Sequence, residues 1–110
     1  MKCINETIVI ESRAYQLKEI TREVKTLLDS SGIKNGLATV FCKHTSCSLV
    51  IMENADPSAS KDLEEFICRL VPENDPNFTH IYEGADDMTS HIKSSLIGSS
   101  ISFPVSNGNP

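Results

Sequence analysis

The stretch CSLVIMENADPSASKDLEEFICRLVP, residues 47–72, carries both kinds of regular structure and the joint between them. Cys47 to Met52 is a short apolar run of strand length. Asp56 can then accept from the free N–H groups that open a helix, and Pro57 suits a first turn where no N–H is needed. Beyond it Ala59, Leu63, Phe66, Ile67 and Leu70 keep one face apolar until Pro72. A strand that passes directly into an amphipathic helix predicts a fold that mixes α and β.

Upstream, Leu37 to Lys43 reads as another strand, joined to the first by His44-Thr45-Ser46, a connection too polar for a strand interior. Ile20, Val24, Leu27 and Leu28 recur at helical spacing, with a start near Glu19 or Thr21 and a stop at Gly32, which adopts the left-handed cap without a Cβ penalty. Thr7 to Ile10 is β-rich and is expected to be a first strand. Downstream, Pro72 to Thr79 is loop. Gly84 introduces a third helix with Asp86 and Asp87 in its positive first turn, an apolar stripe at Met88, Ile92 and Leu96, and an end at Gly98. Ser100 to Val105 alternates like a strand, with Pro104 marking an edge or a bulge. Ser106-Asn107-Gly108 is a hairpin-turn signal, and the strand that should return from it is missing or comes from another chain.

With 110 residues the chain is expected to form one domain, residues 1–110, with no repeat, linker or low-complexity segment. Ten Lys and Arg stand among fifteen Asp and Glu, for a formal net charge of -5, and the basic residues are scattered. Nucleic acid is therefore not an expected partner. No apolar run approaches the ~20 residues needed to cross a bilayer. The N-terminus is polar where a secretory signal would be apolar. The four cysteines, at 3, 42, 47 and 68, form no C-x-x-C pair and read as reduced thiols of a cytoplasmic protein.

Three histidines, His44, His80 and His91, lie on different elements. If those elements pack together, three ring nitrogens could converge on a metal or an anionic substrate. Asp87 precedes His91 by four residues, on the same helix face, where a carboxylate can fix an imidazole tautomer. The plainer reading is an exposed pair worth only ~0.2–0.5 kcal/mol. Glu53-Asn54-Ala55-Asp56 offers oxygens that could hold Mg²⁺, although Asp56 also serves as a helix cap. Thr45, Ser46, Ser48, Ser94 and Ser95 could bond phosphate oxygens, or be the ordinary serines of turns and strand ends. No phosphate-binding glycine loop is present, which removes the support for an NTPase or a dinucleotide enzyme. Cys42 and Cys47 bracket His44, so a Cys–His nucleophile competes with two small buried hydrophobes.

Two long motifs, HTSCSLVIMENADP (His44 to Pro57) and YEGADDMTSHIKSSLIG (Tyr82 to Gly98), resemble the signature of the YjbQ family, and the resemblance extends from about Thr21 to Val105. It implies an α+β protein with a sandwich-type β core and about three helices, assembled as a homotrimer. It also implies a secondary thiamine-phosphate synthase activity, in which a thiazole phosphate nitrogen displaces pyrophosphate from hydroxymethylpyrimidine diphosphate. Carried over, His91, Asp87 and Asp56 would be catalytic, and Thr45, Ser46 and Asn54 would contact substrate. His44, His80 and His91 would hold a metal, with Mg²⁺ expected for the reaction and Zn²⁺ or another divalent ion at the histidines. A site shared between subunits is consistent with this. Thr89-Ser90 stands where many members have a proline and a small residue. Members also continue past the hairpin turn into a segment with a Trp-Gln pair, and this chain, without Trp, is expected to be incomplete there.

An enzyme of this kind is the first functional expectation. A trimer that binds a metal or phosphorylated metabolite without turnover is the alternative, and an interaction protein with an open sheet edge is a third.

Overall fold

A computed structural model describes all 110 residues. The elements in order are α1 (Thr21–Ser31), β1 (Gly36–Phe41), α2 (Pro57–Leu70), α3 (Asp87–Ile97) and β2 (Ser100–Val105). The class is α+β, with three helices and a small sheet in which β1 and β2 are neighbours. The pairing is antiparallel: Thr39 Oγ1 meets Ser102 Oγ at 2.9 Å, and just past the end of β1 the Cys42 N–H donates to the Ser99 carbonyl, just before β2, at 2.7 Å. Ala38 and Val40 on one strand, and Ile101, Phe103 and Val105 on the other, are the more sheltered positions. Leu37 and Phe41 point away and remain 75% and 62% exposed.

Two compact units are built from these elements. The first comprises Met1–Thr39 with Ser102–Pro110. Its helix α1 ends at Gly32, whose φ of 70° is the left-handed cap expected there, and the Lys2 ammonium donates to the Ser31 carbonyl of the last turn at 2.5 Å. Asn107 and Gly108, at φ 53° and 79°, form the expected tight turn, closed by the Ser106–Asn109 bridge. The Gly108 N–H donates to the Lys34 carbonyl at 2.8 Å, and Lys25 Nζ donates to Asn109 Oδ1 at 2.6 Å. Val105, 3% exposed, is the buried apolar residue of this unit.

The second unit is Val40–Ile101. Asp56 caps α2 as expected: its Oδ1 accepts from the Ser58 N–H at 2.9 Å and from the Ser58 hydroxyl at 2.8 Å, and Pro57 opens the helix. Helix α3 is pinned at two points. Thr89, 1% exposed, donates its hydroxyl to the Pro72 carbonyl at 3.0 Å, fixing the start of α3 against the exit of α2. Ser94, 8% exposed, donates its hydroxyl to the Cys47 carbonyl at 2.7 Å, fixing the next turn and more of α3 against the connection that follows β1.

Two expected strands do not form. Thr7 to Ile10 has the β-branched composition, but a strand is a ladder, and the sheet of this chain contains only β1 and β2. Cys47 to Met52 keeps a single ladder-like bond, from the Leu49 N–H to the Gly98 carbonyl at 3.1 Å, and Val50, Ile51 and Met52 are exposed. One bond fixes a segment without making it a strand.

Candidate metal centre

Three side chains of the second unit converge. Gly84, at φ 108°, lets the chain turn into α3; a Cβ there would lie 3.0 Å from Asp86 Oδ1. Asp87 opens the helix and His91 follows one turn later on the same face. His80 reaches them from the loop before the helix. Its Nε2 lies 2.8 Å from Asp87 Oδ2, and His91 Nε2 lies 3.1 Å from the same oxygen. The two imidazole rings are 5.8 Å apart between centroids and tilted by 53°. One ligand atom from each of His80, Asp87 and His91 can be chosen so that all lie within 4.8 Å of one another. Glu83 stands just outside, its Oε2 3.9 Å from His80 Nε2. Asp87 and His91 are partly shielded, at 20% and 30% side-chain exposure, and His80 is open at 48%.

The protons follow from one contact. His91 Nδ1 lies 2.9 Å from the Thr45 carbonyl, and a carbonyl only accepts, so Nδ1 carries hydrogen. In a neutral ring Nε2 then presents a lone pair, and here that lone pair faces a carboxylate oxygen. Two acceptors in contact need a cation between them, either a proton or a metal ion. Without metal the proton fills this place. His91 is held above its ordinary value, first by the hydrogen bond to Thr45, against a desolvation that works the other way, and then by the Asp87 charge. For Asp87, desolvation favours the neutral acid, but the His80 hydrogen bond and the charges of His91 and His80 outweigh it, so the carboxyl lies below its ordinary value.

The remaining expected site residues lie elsewhere or act differently. His44 is outside the cluster. Its Nδ1 accepts from the Ser46 N–H at 3.0 Å and is 2.8 Å from the Ser46 hydroxyl, so both side chains are engaged with each other. Thr45 contributes its backbone carbonyl to His91. Asn54 is exposed after Met52, and Asp56 is lowered below its ordinary carboxyl value by the Ser58 N–H and hydroxyl that it caps. Ser94 and Ser95 spend their hydroxyls on the Cys47 and His91 carbonyls rather than on an anion. Cys42 and Cys47 are in side-chain contact, and burial, with Cys47 beside it, pushes the Cys42 thiol up, against the thiolate a nucleophile needs. Thr89, one of the two departures from the motif, holds α3 through its hydroxyl. A cavity of about 240 Å³ adjoins His80, lined also by Asn74, Asp75, Phe78, Ile81 and Met88.

A histidine–carboxylate–histidine donor set is the kind that takes Zn²⁺ or another divalent transition ion; Mg²⁺ prefers oxygen donors and retained water. Asp87–His91 is legible in the sequence as an i,i+4 pair. The carbonyl of Thr45 and the buried hydroxyl of Ser94 left no signal, because one is backbone and the other looks like any helix serine.

The family described as UPF0047 protein YjbQ-like matches residues 6–110. A UPF0047 protein of Synechocystis is 43% identical over 103 residues, 94% of this chain and 70% of that protein. The UPF0047 protein YjbQ of Escherichia coli O157:H7 is 45% identical over 103 residues, 93% of this chain and 72% of that protein. Among solved structures, an uncharacterised conserved protein of the YjbQ/UPF0047 family from Clostridium acetobutylicum superimposes with a TM-score of 0.81 at 36% identity, over 91% of this chain and 75% of that one. A hypothetical protein from Aeropyrum pernix K1 gives 0.79 at 28% identity, over 91% and 73%.

Proposed function

Because the chain belongs to the YjbQ-like UPF0047 family, we propose that its His80–Asp87–His91 cluster holds a divalent metal ion beside which a phosphorylated small molecule binds. The reaction we assign to it is the one the motifs imply, secondary thiamine-phosphate synthesis. The thiazole nitrogen bonds to the methylene carbon of hydroxymethylpyrimidine diphosphate as the carbon–oxygen bond to pyrophosphate breaks, and the electron pair leaves with pyrophosphate. The observation that carries the reading is the convergence of two imidazole nitrogens on one carboxylate oxygen at 2.8 and 3.1 Å.

A divalent ion bound there supplies positive charge for the departing phosphates. The chain's own residues do the rest. Thr45 holds the His91 ring by its Nδ1–H, which leaves Nε2 for the metal. Asp87 orients both rings through one oxygen. The cavity beside His80 receives part of the organic substrate against Phe78, Ile81 and Met88. Thr45, Ser46 and Asn54, on the connection and the exposed stretch before α2, are the substrate contacts in this scheme. The donor set favours Zn²⁺ or a similar ion at the histidines; Mg²⁺ would enter with the diphosphate, with the oxygens near Asp56 as the chain's contribution.

A second reading has an observation in its favour. His80, Asp87 and His91 are already bonded to one another, and the one further carboxylate beside them, Glu83, stands 3.9 Å from His80 on the exposed side. The same centre would then bind a metal or a phosphorylated metabolite without turnover. Pyrophosphate release from the two substrates, in the presence of Mg²⁺ with and without Zn²⁺, separates the readings. Release that is lost in His91→Ala supports synthesis; no release with retained Zn²⁺ binding supports the second reading.

Assembly as a homotrimer and a cytoplasmic setting belong to the proposal. Assembly is supported by the surface of each unit, which leaves large apolar side chains open to solvent. Leu37, Phe41, Val50 and Ile51 are among the exposed apolar residues. The setting is supported by four free cysteines. No helix is long and apolar enough to cross a membrane.

A further inference from the structure

We infer that Ser94 is a positioning residue for the His80–Asp87–His91 centre: its hydroxyl holds the connection after β1 so that the Thr45 carbonyl selects the His91 tautomer with hydrogen on Nδ1. This rests on the proposed metal site for its consequence, but not for its geometry.

Two contacts form one path. Ser94 lies three residues after His91 on α3, is 8% exposed, and donates to the Cys47 carbonyl at 2.7 Å. Two residues before Cys47, the Thr45 carbonyl receives the Nδ1–H of His91 at 2.9 Å. The connection is therefore bonded to α3 twice, once by a buried hydroxyl and once by the ring itself. A carbonyl in a polar, exposed connection has water as a competing partner. The Leu49 N–H also bonds the Gly98 carbonyl at 3.1 Å and the Cys47 side chain meets Cys42, but apart from the His91 ring the Ser94 hydroxyl is the contact from α3 that lies nearest in the chain to the Thr45 carbonyl. His44 and Ser46 bond to each other and not to α3.

The consequence is chemical. Free imidazole prefers hydrogen on Nε2, the nitrogen that here faces Asp87 and His80. In that tautomer His91 offers Asp87 a proton donor and has no lone pair for a metal on that side. The Thr45 carbonyl works against that preference and against the pull of the Asp87 carboxylate on an Nε2 hydrogen, as hydrogen bonds to the distal nitrogen do for metal-ligating histidines generally. Ser94 acts one step further out, on the position of that carbonyl. Ser95, its neighbour, bonds only the His91 carbonyl within the helix, at 2.9 Å, and plays no part.

The experiment uses the whole chain and two readouts. The first is the His91 tautomer in the metal-free protein, read from long-range ¹H–¹⁵N correlations at a pH where the ring is neutral, with His91→Gln assigning the signals. The second is Zn²⁺ affinity by competition with a chromophoric chelator. Ser94→Ala is expected to move His91 mainly to the Nε2–H tautomer and to weaken Zn²⁺ by about 10-fold, the lower end of what loss of an outer hydrogen bond does at metal sites. Ser95→Ala is expected to change neither. Ser94→Cys keeps the size but donates weakly, and it reads the same two quantities if the alanine variant does not fold. A Ser94 variant that folds and keeps the Nδ1–H tautomer overturns the inference, whatever the metal does. Wild-type protein that shows the Nδ1–H tautomer, lost in the variant, but takes up no Zn²⁺ upholds the Ser94 link and overturns the metal reading alone.

Discussion

His80 Nε2 stands 2.8 Å from Asp87 Oδ2, seven residues further along the chain. The loop between them has to double back for this, and Gly84, at φ 108°, is in the left-handed region that allows it. The contact turns an ordinary i,i+4 pair on α3 into a centre with three donors, and most of what can be tested about the protein follows from it.

Zn²⁺ is expected to bind one per chain at this centre. Excess ion at about 100 times its Kd stabilises the fold by about 2.7 kcal/mol, visible as a rise in Tm. His80→Ala and His91→Ala should each abolish the rise while leaving the circular dichroism spectrum unchanged. Metal analysis and thermal melts of the three proteins check this, and an undiminished rise in either variant would rule out the centre. In the synthesis assay, His91→Ala should lower turnover at least about 100-fold, the scale of losing one preorganised charge-stabilising group.

The metal-free protein should be most stable in mildly acidic solution. His91 has a folded pKa above its ordinary 6.5, so its contribution is complete below that value and is lost as pH rises through the raised one. Asp87 has a folded pKa below its ordinary 3.8, so its contribution is present above that value and is lost as pH falls through the lowered one. Both contributions are in place between about 4 and 6.5. Melting temperature against pH should fall on either side of that window. His91→Ala should flatten the alkaline limb and Asp87→Asn both limbs.

Thr89→Val keeps the shape of a buried side chain but removes the hydroxyl that reaches the Pro72 carbonyl at 3.0 Å. The loss should be about 0.5–1.5 kcal/mol, the net worth of one hydrogen bond, because Pro72 is exposed and water can reach its carbonyl. Urea unfolding measures it, and an unchanged midpoint would mean that water replaces the hydroxyl at no cost.

Asp56→Ala should cost about 1 kcal/mol by exposing the first N–H groups of α2. Asp56→Asn, which still caps, should recover most of that. Neither should alter Zn²⁺ affinity, because the Asp56 contacts are with Ser58. A turnover loss in the asparagine variant larger than its stability loss would give the carboxylate the catalytic role that the motif implies.

What could be read in advance was local. The stop of α1 at Gly32, the cap of α2 by Asp56 and the turn at Asn107-Gly108 each depend on residues within a few positions of one another, and each has the expected conformation. The failures depended on partners. Thr7–Ile10 and Cys47–Met52 have strand composition, but no composition says which strand lies alongside. The same division runs through the site. Asp87 and His91 share a face by helical periodicity, whereas His80 joins them through the path of a loop. His44 belongs to the strongest motif in the chain, yet its own neighbour Ser46 takes up its Nδ1, and only the backbone of the motif, at Thr45, reaches the centre.

The two units differ in how the chain closes them. The second is one uninterrupted segment, Val40–Ile101, whereas the first needs Met1–Thr39 to meet Ser102–Pro110, as in the Lys25–Asn109 bond across 84 positions. Contacts within a short stretch form early and at low entropic cost; those that join distant stretches wait for a larger loop to close. The metal centre and its Ser94 and Thr89 pins all lie in the uninterrupted segment. In refolding, the contacts among His80, Asp87 and His91, which are seven and four positions apart, are therefore expected to form before the β1–β2 ladder, whose Thr39–Ser102 pair closes across 63 positions.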